Sequence, residues 1–145
     1  VTTARAPDTT AVEDALAQRL HSLGLVRYEP TGIYGTGTLP AVFFGAMPDT
    51  PNDAIVINTY NDDRSRDDDN PDYYLQIRGR RAGRDPRAVD QLMDAIYRAI
   101  HDTSHQMWGS VRVLLCRRVV RAQRDPDANG RWTRPDSYRI TANPS

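Results

Sequence analysis

Lysine is absent from this chain, and cysteine occurs once, at Cys116. A single thiol excludes an internal disulfide framework. The start Val1-Thr2-Thr3-Ala4-Arg5 has no apolar signal segment, and with so little cysteine this predicts synthesis and assembly in the reducing cytoplasm of a host. No apolar run approaches the roughly 20 residues that a membrane-crossing helix needs, so no membrane partner is expected. G-x-S-x-G, P-loop, H-E-x-x-H and paired-cysteine patterns are missing too, so the sequence offers no catalytic residue, no cofactor site and no metal ligand.

All nineteen basic residues are arginine, and seventeen of the nineteen acids are aspartate. Their sum is zero but their layout is uneven. Residues 1–72 hold five Arg against twelve acids, a net charge of −7, whereas residues 73–145 hold fourteen Arg against seven Asp, a net charge of +7. A chain-wide balance argues against a general nucleic-acid binder, which would carry an overall basic excess. Opposed patches suit head-to-tail packing of identical subunits, the acidic face of one meeting the basic face of the next. The alternative is that the two charges meet inside one fold.

Residues 1–9 are small, polar and Pro-containing, which predicts a flexible arm. Thr10-Ala11-Val12-Glu13 has the form of a capping box, and Val12, Ala15, Leu16, Leu20 and Leu23 recur at helical spacing before Gly24, so a helix is expected from Thr10 to the glycine. Pro30, Gly32, Gly35 and Gly37 break regular structure and leave a short strand near residues 26–29. Two strands follow, over 41–44 and 54–60, the second with Ile55 and Ile57 on one face and Val56 on the other. Residues 61–72 carry six Asp, two Arg and no large apolar side chain, which predicts a solvated loop. The alternation of Tyr73, Leu75 and Ile77 against Tyr74, Gln76, Arg78 and Arg80 is the clearest strand signal. Asp85-Pro86 opens a second helix with the stripe Val89, Leu92, Met93, Ile96 and Ile100, expected to close at Thr103-Ser104. A long strand over 110–123, an Asn129-Gly130 turn and a return strand over 131–141 complete the chain; Pro135 places part of that last strand at an edge or bulge.

Four groupings invite a chemical reading and fall short of it. Gly32-Ile33-Tyr34-Gly35-Thr36-Gly37 lacks the GxGxxG order and no helix pattern follows it. Asp67, Asp68 and Asp69 lack the alternate-position ligands and sharp glycine turn of a calcium loop. His101 and His105 stand four apart without a completing carboxylate or cysteine and read as surface histidines. Cys116, in an apolar β-run, reads as packed rather than nucleophilic.

The order helix, three strands, helix, two strands predicts an α+β fold. Its four- to five-stranded, mostly antiparallel sheet carries both helices on one face, in a single domain over 10–142 with a tail at 143–145. A capped first helix, a Pro/Gly-rich stretch, the Asp-rich loop ending Asn70-Pro71-Asp72, then Tyr74-Leu75-Gln76-Ile77-Arg78-Gly79-Arg80 resemble the tail terminator, or minor capsid, proteins of siphophages. Asp85-Pro86-Arg87-Ala88-Val89, the hairpin Asn129-Gly130-Arg131-Trp132 and Tyr138-Arg139-Ile140 continue the likeness, which spans residues 10–141. The arginine-only composition resembles that of actinobacteriophage proteins.

The resemblance implies a virion protein at the head–tail junction. Its homohexameric ring would cap the tail tube, stop its polymerisation, join it to the head-completion proteins and pass DNA through the lumen without specific binding. Its partners would be copies of itself, the tail tube protein and a head–tail connector protein, with no cofactor and no enzymatic activity. A connector on the capsid side fits nearly as well, and a small α+β enzyme or ligand-binding domain is the reading from another class. From the residues themselves, Asp67, Asp68 and Asp69 of one subunit are expected to pair with Arg78 and Arg80 of its neighbour, with Tyr74 supplying buried area.

Overall fold

The computed structural model describes residues 6–143. Helix α1, Thr9–Ser22, is followed by strands β1, Ala41–Phe44, β2, Ala54–Asp63, and β3, Asp72–Arg81. Helix α2, Arg87–Ile100, leads into β4, Thr103–Trp108, β5, Val111–Val120, β6, Asp125–Pro126, and β7, Trp132–Asn143. The strands form one seven-stranded sheet in the order β1-β2-β3-β7-β5-β4, with β6 pairing β7. Only the β1–β2 pair is parallel. The α+β class and the mainly antiparallel sheet follow the sequence expectation, whereas the expected four to five strands are too few.

The added strands are β4 and β6. Thr103-Ser104 was expected to end α2; the helix stops at Ile100 instead, Asp102 takes φ 65°, and the chain reverses into an edge strand paired with β5. That strand is mostly polar and carries no alternation to betray it. β6 is two residues long, below the length at which a periodic signal exists.

One face of the sheet carries both helices. On β3, Tyr73, Leu75 and Ile77 are fully buried on that face, and a Cβ on Gly79 would lie 2.6 Å from Met93 Sδ of α2. A side chain at this position would have to displace the Met93 thioether. Val12, Leu16 and Leu20 of α1 and Val89, Met93, Ile96 and Ile100 of α2 join Ile55, Ile57, Tyr138 and Ile140 in one apolar cluster. Leu23, assigned to the α1 stripe by spacing, is 40% exposed at the helix end, and Gly24 stops the helix at φ 75° as expected.

The capping box does not form. The N-cap falls two residues earlier, at Asp8, with no side-chain cap bond, and Glu13 reaches the sheet instead. Its carboxylate accepts from Thr59 N–H at 2.9 Å and the Thr59 hydroxyl at 2.7 Å, at a register shift where β2 bulges between Thr59 and Asn61. A tertiary acceptor for a bulged strand thus overrides a local cap. In α2 the expected start holds: Asp85 accepts from Arg87 N–H at 3.0 Å, and Pro86 already has helical φ and ψ.

The expected strand over 26–29 reduces to a single bridge between Arg27 and Ala41. The expected loop over 61–72 shrinks to residues 64–71, because Asn61–Asp63 continue β2 and Asp72 opens β3. Of the expected flexible arm, residues 1–5 lie outside the described residues, and Pro7 accepts a hydrogen bond from the Tyr73 hydroxyl. In the expected tail, Asn143 ends β7 and residues 144–145 lie outside the described residues.

Pro135 sits in β7, between β3 and β5 in the strand order, where an edge or bulge was expected. Both views are locally reconciled. On the β3 side Pro135 is opposite Arg78, but on the other flank the β5 ladder ends at Val120↔Ser137 and the β6 ladder begins at Thr133↔Asp125. β7 is therefore unaccompanied on one flank at the residue that lacks an N–H.

Candidate functional site

The face of the sheet opposite the helices carries Tyr74, Gln76, Arg78 and Arg80 from β3, as alternation predicted, with Arg139 of β7 beside Tyr74. Tyr60, at the β2 bulge, is 56% exposed and its ring centroid lies 6.1 Å from that of Tyr74. Arg139 has no ion-pair partner among the described residues, and Arg78 donates only a 3.4 Å hydrogen bond to the Thr133 hydroxyl.

Arg80 differs from its neighbours. It is buried, 4% exposed, and its guanidinium donates to the carbonyls of Pro48 (2.7 Å), Pro51 (2.8 Å) and Asn52 (2.9 Å). Burial, and then the nearby Arg131 charge, pull its pKa below the ordinary arginine value. Placement on the open face was correct, but the 48–52 segment folds over the side chain, so Arg80 ties that turn down and is not presented to a neighbour.

The acidic loop is shaped from within. Asp67 accepts from Asp69 N–H (3.0 Å), Asn70 N–H (3.3 Å) and the Asn70 amide (2.8 Å), and these bonds, the Asn70 side chain first, hold its carboxyl below the usual range. Arg64 pairs with Asp62 at 3.1 Å and Asp68 at 3.7 Å, while Arg66 reaches Asp72 at 3.2 Å. Asp68 remains 81% exposed, and Asp69 has no side-chain partner among the described residues. Asp67, Asp68 and Asp69 stand beyond one end of β3 and Arg78 near the other, a separation of roughly 20 Å along the strand. One chain therefore does not bring the predicted pairs together.

A second charged centre, unmarked by any motif, joins α2 to β7. Arg134 is fully buried and forms a two-pronged pair with Asp136, at 2.9 and 2.8 Å, while also reaching Asp90 at 3.1 Å and Asp94 at 3.0 Å. Burial opposes its charge, but Asp136, Asp94 and Asp90 outweigh that and raise its pKa above the ordinary arginine value. Asp90 is shared further with Arg124, in a short contact, and with Arg121 at 4.0 Å; burial raises its pKa, and Arg124 and Arg134 together lower it on balance. Arg118 lies 3.8 Å over the Tyr97 ring and 3.7 Å from Asp136. The legible part of this signal was the alternation: Arg134 and Asp136 must share a strand face.

Two adjoining cavities open beside this centre. One, of about 540 Å³, is lined by Asp90, Arg121, Gln123, Arg124 and Trp132; the other, of about 320 Å³, by Arg78, Gln123, Arg124, Asp125 and Pro135. Both lie along the flank of β7 that has no strand beside it.

The residues weighed for chemistry fall elsewhere. His101, expected at the surface, is half-buried: it stacks on Tyr97 with centroids 4.5 Å apart, and its Nδ1 accepts from Arg118 N–H at 2.9 Å. His105 is on β4, so the two do not share a helix face. Cys116 is buried, and desolvation pushes its thiol up to about 12. The Gly32–Gly37 segment wraps Arg27, which donates to the Leu39 carbonyl at 2.9 Å and the Gly35 carbonyl at 2.6 Å and lies 5.4 Å from the Tyr34 ring. Among the described residues, no cluster of three or more His, Cys, Asp or Glu is placed to hold a metal ion, and no helix is long and apolar enough to cross a membrane.

Few ion pairs join the acidic and basic halves of the sequence. Among the described residues only Arg81–Asp53 (3.5 Å) and Arg131–Asp49 (2.9 Å) pair a residue of 73–145 with one of 1–72. In the strand order β1 and β2 lie at one edge of the sheet and β5 and β4 at the other, while α1 of the acidic half packs across to β4 and β5. A family model described as bacteriophage tail terminator protein matches residues 19–144. No curated protein matches the chain.

Proposed function

The chain belongs to the bacteriophage tail terminator family, a family of structural proteins, and we propose that within it this subunit closes a ring on the end of the tail tube. The ring, a homohexamer, stops tube polymerisation, sits at the head–tail junction of the virion and presents its free side to a head–tail connector protein. DNA passes through its lumen without specific binding. Assembly takes place in the host cytoplasm.

The observation that carries this reading is that the acidic half, 1–72, and the basic half, 73–145, are joined by only the two ion pairs Arg81–Asp53 and Arg131–Asp49 among the described residues, which leaves charge of both signs for other copies. Unlike ends on one body favour heterologous, head-to-tail contacts, which close into rings when the rotation per step is right. Asp67, Asp68 and Asp69 supply acidic contacts, and Arg78 with Tyr74 belongs to the basic side. Arg80 is left out, because its guanidinium already holds the 48–52 turn.

Tail length tests the function directly. Phage particles made without this chain should carry overgrown tubes of uneven length in electron micrographs, and supplying the chain should restore one length. Tails of normal, uniform length beside unattached heads would overturn the terminator reading in favour of a connector on the capsid side.

A further inference from the structure

We infer that the opening beside Pro135 is a receptor for the acidic β2–β3 loop of a second copy of this chain. The inference rests on the self-assembly reading above and adds the surface that performs it.

The opening exists because two ladders stop short of one another. β5 accompanies β7 as far as Ser137, β6 takes it up at Thr133, and Pro135 lies in the gap. The two cavities flank the gap and share Gln123 and Arg124: the smaller lies towards the open face with Arg78 and Pro135, the larger towards α2 with Asp90, Arg121 and Trp132. Val119 and Val120 stand at the β5 end of the gap, 44% and 51% exposed.

The charge of the groove is only partly answered from within. Arg134 is answered by Asp136, Asp94 and Asp90 and Arg124 by Asp90, whereas Arg121, half exposed, comes no closer to Asp90 than 4.0 Å. Arg78 lines the smaller cavity, which Asp125 also lines, and has no ion-pair partner among the described residues. Two guanidiniums, Arg78 on one side of the Gln123–Arg124 segment and Arg121 on the other, are thus left without a close carboxylate, while Arg124 and Arg134 are engaged. Planar guanidiniums at such a site match carboxylates, which they can grip in pairs.

The loop of a second copy supplies those carboxylates in a fixed shape. Asp67 organises the turn by accepting three hydrogen bonds, so Asp68 and Asp69 project from a pre-formed tip. Within one chain the tip lies beyond one end of β3 and Arg78 near the other, so they meet only between copies. Tyr60, exposed on the strand that leads into the loop, provides an apolar contact for Val119 and Val120. Donor and receptor are different patches, which makes the contact head-to-tail.

Two full-length variants test the pairing. Asp68→Arg with Asp69→Arg makes the loop basic and leaves Asp67 to hold the turn. Arg78→Glu with Arg121→Glu makes the groove acidic and leaves Arg124 and Arg134 in place. Each alone should self-assemble roughly a hundredfold more weakly than the native chain in analytical ultracentrifugation, because like charges then face each other. Mixed in equal amounts they should co-assemble, since each basic loop now meets an acidic groove and each acidic loop a basic one.

A position-specific readout separates this contact from general charge effects. Asp68→Cys and Gln123→Cys chains, mixed under oxidising conditions, should give disulfide-linked dimers on non-reducing gels, with the buried Cys116 silent. Native-like assembly of both charge variants without that cross-link would overturn the receptor and leave the self-assembly reading standing. A native chain that stays solitary at all concentrations, with and without tail tubes, would overturn both.

Discussion

Arginine and aspartate meet in two regions of this molecule with opposite consequences. In the β2–β3 loop, Arg64, Asp62 and Asp68 pair with residues two to four positions away at side-chain exposures of 40% or more. Water screens such pairs, and they shape the tip without binding distant parts of the chain together. Beneath α2, Arg134 has no exposed surface and links β7 to Asp90 and Asp94 of a helix more than a turn of fold away. A charge buried there with its partners removed has no water to fall back on. Burial, not residue type, decides which arginines hold the fold and which remain for a partner.

The strongest way to break that comparison is to remove the buried cation. Arg134→Met leaves the buried Asp136 with only the Ala122 N–H at 3.1 Å and Arg118 at 3.7 Å, and should lower the unfolding free energy by about 3 kcal/mol. For a chain of this size that is a fall of roughly 10 °C in Tm. Adding Asp136→Leu should recover part of the loss, because two apolar groups replace a pair instead of orphaning half of it. Thermal and urea unfolding check both, and an Arg134→Met chain as stable as the native one would show that the buried pair contributes nothing.

A closer comparison lies two residues apart on β3. Arg78 and Arg80 share a face, yet only Arg80 holds three backbone carbonyls. Arg80→Met should cost about 2 kcal/mol, by leaving those carbonyls under-satisfied. Arg78→Met should stay within about 0.5 kcal/mol of the native protein. Equal effects in urea unfolding would erase the distinction between the residue that secures a turn and the one presented to a neighbour.

These two arginines also mark how far the sequence could be read. The period-two pattern of 73–80 places both on the open face, but nothing in it foretells that the 48–52 segment folds over one of them. The α2 stripe was legible because five large apolar residues repeat at helical spacing over three turns. β4 was not, because an edge strand with one flank in solvent needs no apolar alternation, and Thr103-Ser104 at a helix end reads equally well as a stop. Glu13 looked like a cap because capping is a local rule, whereas the Thr59 amide it serves is 46 positions away. The acidic half of the candidate interface was visible as a run of Asp. The groove that faces it was not, since it is assembled from a strand break at Pro135 and from Arg78, Arg121 and Arg124, which no short motif joins.

Between the buried and exposed regimes stands His101, and it gives the smallest and most selective test of the comparison. Its Nδ1 accepts from Arg118 N–H, a bond that requires the neutral ring. Burial and then the Arg117 charge hold its pKa below the ordinary histidine value; Asp102 works the other way, and Arg118 adds to the depression. The unfolded chain therefore takes up this proton first. The stabilisation is complete above about pH 6.5 and is lost as the pH falls through that value towards the lower folded one. His101→Asn keeps an acceptor oxygen for Arg118 and removes the titration. The difference in unfolding free energy between native protein and variant should thus move against the native protein from about pH 7.5 to about pH 5.5. A difference that stays flat across that range would place His101 with the exposed groups, whose charge the fold does not register.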